Sequence, residues 1–157
     1  MRIVSSVIFA FVFMLASLPA SDPYSTLSRS EKKLLRPQVE RWIHDQIKHD
    51  WSDLWEIQEQ TTQLKNELLL GQTNAPDMDR NRYVQAMRAT IGSGFPEIKS
   101  FTLSEIQREN GGFRVEGCGR LQRENWKQTS VTNVHARIEN NNVLFGLPDF
   151  TPDLCKL

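Results

Sequence analysis

With 157 residues, 19 lysines and arginines and 19 aspartates and glutamates, the chain has the length of one domain and no net charge. The two signs are mixed along the sequence, with no long block of either. That excludes a basic surface for nucleic acid or for an anionic membrane, and fits a solvated exterior.

The first twenty residues read as a secretory leader. Met1-Arg2 gives a basic start, Ile3 to Leu15 is almost wholly apolar, and Ala16-Ser17-Leu18-Pro19-Ala20 is a small-residue end, with cleavage expected after Ala20. The apolar run of about thirteen residues is short beside the roughly twenty of a bilayer span, and its alternative reading is an uncleaved N-terminal anchor. Without Arg2, acidic side chains outnumber basic ones by one. A secreted or periplasmic protein is expected, in contact with a membrane only if the leader stays attached. Residues 21–29 read as a polar tether, 30–148 as the folded domain and 149–157 as a tail across its surface.

Ser30 before Glu31 is an N-cap before an acidic first turn, and Leu35, Val39, Trp42, Ile43 and Ile47 follow at helical spacing. Pro37 interrupts this run, so the helix can instead begin nearer Arg36, where a missing N–H costs little. It runs to about His49, and Asp50 caps a second short helix through Trp51, Leu54 and Trp55. Glu59 to Leu70 is ambiguous: Leu64, Leu68 and Leu69 fit a helix, while Leu68-Leu69-Leu70 before Gly71 fits an edge strand. Gly71 to Asp79 reads as a loop. Asp79 then caps a helix with Tyr83, Val84, Met87 and Ile91 on one stripe, ended by Gly92-Ser93-Gly94.

From about Ile98 to Leu147 the chain reads as four strands joined by three tight turns: Glu109-Asn110-Gly111-Gly112, Arg123-Glu124-Asn125-Trp126 and Glu139-Asn140-Asn141-Asn142. Phe113, Val115, Gly117, Gly119 and Leu121 alternate with Arg114, Glu116, Cys118, Arg120 and Gln122. Val134, Ala136 and Ile138 alternate with His135, Arg137 and Glu139. Phe101 and Leu103 are in phase and Ile106 is not, which predicts a β-bulge near Ser104-Glu105. A meander with one apolar face needs a cover, and the helices of the first half supply it. The predicted fold is therefore α+β, with N-terminal helices packed into the concave side of a bent antiparallel sheet of four to five strands.

This order of elements resembles the nuclear transport factor 2-like (SnoaL-like) family, a cone in the cystatin-like group of folds. The residues that carry the resemblance are Val39-Glu40-Arg41-Trp42, the stretch His49-Asp50-Trp51-Ser52-Asp53-Leu54-Trp55, the helix at Asp79-Arg80-Asn81-Arg82-Tyr83-Val84, and the meander. It spans about residues 30–148. The resemblance implies a curved sheet wrapped round the long helix with a pocket at the open end. The family holds isomerases, dehydratases and hydrolases beside many proteins without catalysis, and none of its catalytic patterns matches here.

Among candidate chemical groups, the two cysteines of an exported chain allow one internal disulfide, Cys118 with Cys155; the alternative is a thiol on a strand and another in a loose tail. His44 and His49, five apart on a helix, do not share a face for a metal, and no metal or cofactor is expected. His135, beside Arg137 and Glu139, has the makings of acid–base catalysis if its face is concave, with Tyr83 as its companion. Trp42, Trp55, Tyr83 and His135 form a candidate pocket wall; aromatics at this spacing also build plain core. Arg114, Glu116 and Arg120 read as an anion site or as an ordinary charged ladder. Gly92-Ser93-Gly94 follows a helix and so is a helix stop, not a nucleophile elbow. There is no phosphate loop or dinucleotide fingerprint. The expected function is a non-catalytic exported binding domain taking a small apolar ligand in the cone or a protein partner on the sheet. A small enzyme of isomerase, dehydratase or hydrolase type is the alternative, and a structural subunit of an envelope assembly a further one. A homodimer through the sheet is also expected to be accessible.

Overall fold

The computed structural model describes residues 21–59, 78–93, 96–123, 126–151 and 155. The expected leader, residues 60–70 of the ambiguous stretch, residues 71–77 of the expected loop, Gly94 and Phe95, the centre of the second turn, and residues 152–154 and 156–157 of the expected tail lie outside the described residues. The described elements run α1 (Arg29–Lys48), α2 (Trp51–Glu56), α3 (Arg80–Gly92), β1 (Glu97–Glu109), β2 (Gly112–Arg123), β3 (Trp126–Glu139), β4 (Asn142–Phe145) and β5 (Asp149–Thr151). The molecule is α+β, helices first and then a curved antiparallel sheet that does not close into a barrel.

Helix α1 starts earlier than either expected point. Ser28, not Ser30, is its N-cap: Glu31 N–H donates to Ser28 Oγ at 3.3 Å and Ser28 N–H donates to the Glu31 carboxylate at 2.8 Å, a reciprocal capping box. Pro37 lies within the helix and faces solvent. It removes one backbone bond, but Leu35, Val39 and Trp42 are anchored in the core on either side of it and hold the helix through that gap. The segment expected as a tether is also part of the domain. Tyr24 and Leu27 are buried, Ile106 N–H donates to Pro23 O at 3.0 Å, and Thr26 Oγ1 donates to Ile106 O at 2.8 Å. Arg36 stands over the Tyr24 ring, 4.6 Å from its centroid.

The strand order is β1-β2-β3-β4, each pair antiparallel, and β5 joins β3 beside β4. Gly111 at φ 88° turns β1 into β2. Asn140 and Asn141, at φ 50° and 64°, turn β3 into β4, the two consecutive left-handed residues a tight hairpin requires. The register between β1 and β2 slips at Leu103/Glu105, where the bulge was expected, and a second time at Ile98/Ser100. The end of β4 gains a further partner: Phe145 N–H donates to Ile57 O and Glu59 N–H to Phe145 O, both at 2.7 Å.

The helices cover the face bearing Ile106, Phe113, Val115, Val134, Ala136 and Phe145. On the opposite face, Arg114 pairs with Glu109 and Glu116, and Arg137 with Glu59 and Glu139. Cys118, also on this outer side of β2, is bonded to Cys155, their Cα atoms 5.7 Å apart. Cys118, Val131 and Thr151 fall in one cross-strand row, so the tail leaves β5 level with its partner. Part of the expected surface tail is therefore a strand, held further by Ser130 Oγ donating to Thr151 O at 2.7 Å. No helix among the described residues is long and apolar enough to cross a membrane.

Candidate functional site

The site is a cavity of about 400 Å³ between α3, the C-terminal turn of α1 and the β1 and β5 ends of the sheet. That volume lies in the range of small-molecule sites. Its origin is legible in α3. Tyr83 and Met87 reach inward one turn apart, while Ala86 and Ala89 between and beyond them are too short to fill the space. Ile98, Leu147, Pro148 and Phe150 complete the apolar wall from the sheet side. Phe150, at 37%, is the most exposed large apolar side chain among the described residues, and it belongs to this wall.

The polar groups come from the α1–α2 corner and the strap that follows it. Arg41 grips the Asp53 carboxylate in a fork, Nε to Oδ2 at 2.8 Å and Nη2 to Oδ1 at 2.7 Å, and so fixes α2 against α1. Asp45, buried beneath this fork with Oδ1 3.0 Å from His44 Nδ1, has its carboxyl pushed up by burial. Its main-chain oxygen accepts the N–H of both His49 and Asp50. His49 is left in the left-handed region at φ 59°, which swings its ring out of the helical row and flat against Trp51, with centroids 5.1 Å apart. His49 Nε2 lies 3.4 Å from Glu97 Oε2, and Lys99 holds the same carboxylate.

At the buried end, Tyr83 O–H donates to Gln58 Oε1 at 3.2 Å, and Gln58 Nε2 donates to Phe145 O at 2.8 Å. Burial pushes the Tyr83 phenol well above its ordinary value, so it stays a protonated donor in neutral solution. Thr90 Oγ1 donates to Ala86 O and Ser93 Oγ to Thr90 O, so these two cavity-lining hydroxyls serve their own helix. Gln46 is 7% exposed, lines the cavity, and its side chain makes no hydrogen bond among the described residues.

Of the residues proposed from sequence, Tyr83 lines the cavity and Trp55 backs it, ring to ring at 5.4 Å. Trp42 does not reach the cavity. It is core, stacked on Phe145 at 5.8 Å and edge-on to Phe101 at 5.7 Å. His135 is placed on the other side of the sheet, directly across from Arg114. It cannot act together with Tyr83, because neighbouring β3 side chains Val134 and Ala136 take the covered face and strand alternation sends residue 135 outward. The Arg114–Glu116 pair on that outer face is a charged ladder. Among the described residues no three His, Cys, Asp or Glu side chains gather as a metal set. Sequence reasoning passed over Gln46, Gln58 and Glu97, weighed His49 only as a metal ligand, and named Trp51, with Trp42 and Trp55, only as a side chain able to fill a core or line a cavity. The one available signal was the spacing of Gln46 and His49, a single helical turn apart before a capping Asp.

No family model matches the chain, and no curated protein is significantly similar to it. Among solved structures, Bdellovibrio bacteriovorus Bd1075 is similar in fold, with a TM-score of 0.53 and 14% identity. The match takes in 83% of this chain and 45% of that one, so the likeness is to less than half of Bd1075. At this identity it speaks to the fold alone.

Proposed function

We propose that the protein is an exported, non-catalytic binding domain of the nuclear transport factor 2-like kind, which takes a small, largely apolar molecule in the cavity between α1 and α3. The observation that carries this reading is the cavity itself: about 400 Å³, apolar over most of its wall, with a few buried polar groups converging on it. The disulfide supports export to an oxidising compartment, secreted or periplasmic, with the leader removed near Ala20. The test is native mass spectrometry of protein exported to such a compartment and purified gently. A retained small molecule that is lost on denaturation, and absent from Ala86→Trp, whose indole would fill the space, supports the reading. No adduct, together with no binding of any apolar fragment in solution, removes it.

A second reading, acid–base catalysis in the same cavity, is favoured by the His49–Glu97 pair. A carboxylate facing one imidazole nitrogen is the arrangement that orients a histidine for proton transfer. The two readings separate on the recovered ligand. A binding domain returns it unchanged, whereas an enzyme converts it and His49→Gln abolishes the conversion while leaving the fold intact.

A further inference from the structure

The carboxamide of Gln46 is a polar group without a hydrogen-bond partner among the described residues. Its residue is more than nine-tenths buried, it lines the cavity, and neither its oxygen nor its nitrogen makes a hydrogen bond among the described residues. Its oxygen and nitrogen are not sealed off from the cavity space, so water or a ligand can supply the bonds that these residues do not. Position 46 does not demand glutamine for the fold. The helix would accept methionine or leucine there with equal or better propensity, and the adjoining wall is apolar. The group the position offers is therefore informative. A carboxamide presents one acceptor and one donor side by side, and its complement is a ligand edge with a donor and an acceptor in the reverse order.

The charge of the site narrows the class. Among the described residues lining the cavity, Glu97 is the only one with a formal charge, histidine aside, and it is already paired with Lys99. A ligand carboxylate would meet this anion without a free cation on the wall. A ligand ammonium would have to compete with Lys99 for it. Either ion would lose its hydration in an apolar cavity without a new partner. An uncharged head suffers neither penalty. Tyr83, kept protonated and already donating to Gln58, adds oxygen lone pairs and no charge.

We infer that Gln46 is a ligand-recognition residue and that the cavity takes an uncharged amide-type group, a primary or secondary carboxamide or a lactam edge, carried on an apolar body. This rests on the cavity-binding reading and names its ligand class. The experiment uses the full, oxidised, exported protein and four probes matched in shape: 4-phenylbutanamide, 4-phenylbutanoate, 4-phenylbutylamine and butylbenzene. Binding is measured by calorimetry and by protein NMR shifts, for wild type, Gln46→Met and Gln46→Leu.

The amide is expected to bind about tenfold or more tightly than either ion, the scale of one or two satisfied hydrogen bonds. Gln46→Met is expected to lose that preference, keep butylbenzene, and melt no lower than wild type, because no hydrogen bond among the described residues is lost. Replacing a residue that only served the fold would lower the melting temperature, so a lower Tm in both variants overturns the inference. So does wild-type binding of the ions as tightly as the amide. Butylbenzene binding without any preference for the amide overturns the head-group assignment and leaves the cavity reading standing, whereas failure of all four probes removes both.

Discussion

The ring of Phe101 occupies the space where Gly117 would carry a side chain: a Cβ there would stand 2.6 Å from Phe101 Cε1. Phe101 in turn meets Trp42 of α1 edge-on. The missing side chain on β2 thus allows the sheet to seat one aromatic ring under the long helix. Gly117→Ala is expected to cost about 1–3 kcal/mol through overpacking. Chemical denaturation checks this as a lower midpoint at unchanged slope, with part of the loss recovered when Phe101→Leu is added. An unchanged midpoint in Gly117→Ala would mean that the ring gives way freely.

The bond between Cys118 and Cys155 joins residues 37 apart in sequence. Replacing both by serine is expected to cost roughly 2–4 kcal/mol. Thermal unfolding with and without a reductant measures it. Reduced wild type should melt with the double variant, and a reductant should not shift the variant at all.

Glu31 makes a pH prediction whose sign follows from its partners. Arg108, hydrogen-bonded at 2.6 Å, and then Ser28 hold the Glu31 carboxyl down to about 2. A carboxyl depressed in the folded state binds its proton more readily once unfolded. Its contribution is therefore complete above the ordinary carboxylate value near 4.5 and fades as the pH falls toward 2. Glu31→Gln should flatten the stability–pH curve across that window and leave its shape above pH 5 unaltered. Urea midpoints taken between pH 2 and 6 decide it.

At the β3–β4 turn, Asn141 holds φ 64°. Asn141→Gly should be neutral or stabilise by up to about 1 kcal/mol, whereas Asn141→Val should cost about 1–2 kcal/mol, since a β-branched side chain resists this region. Equal melting temperatures for the two variants would contradict the left-handed assignment.

Much of the fold was readable because its signals are local. Alternation along Phe113 to Leu121 and Val134 to Ile138 fixed which face is covered, Asp50 and Asp79 marked helix starts by their side-chain chemistry, and Ile106 out of phase betrayed a bulge. What escaped was decided at a distance. Ser28 outcompeted Ser30 because Glu31 sits three residues beyond it and is itself held by Arg108 from β1. Residues 22–27 joined the domain because Tyr24 and Leu27 found a core that their own polar neighbourhood does not announce. The site was the least legible part. His135 was chosen for its charged neighbours, yet those neighbours mark the outer face. Gln46, by contrast, looks like any surface glutamine until α3 and the strap at Gln58 close over it.

The exposed turn at Asn140-Asn141 lies between the two bonded cysteines. A protease that cuts there makes two chains but releases neither, since Cys118 on one piece stays joined to Cys155 on the other. Leu147, Pro148 and Phe150 would remain on their sheet, and in an oxidising, protease-rich environment a nicked molecule would retain its cavity wall until a reductant arrived.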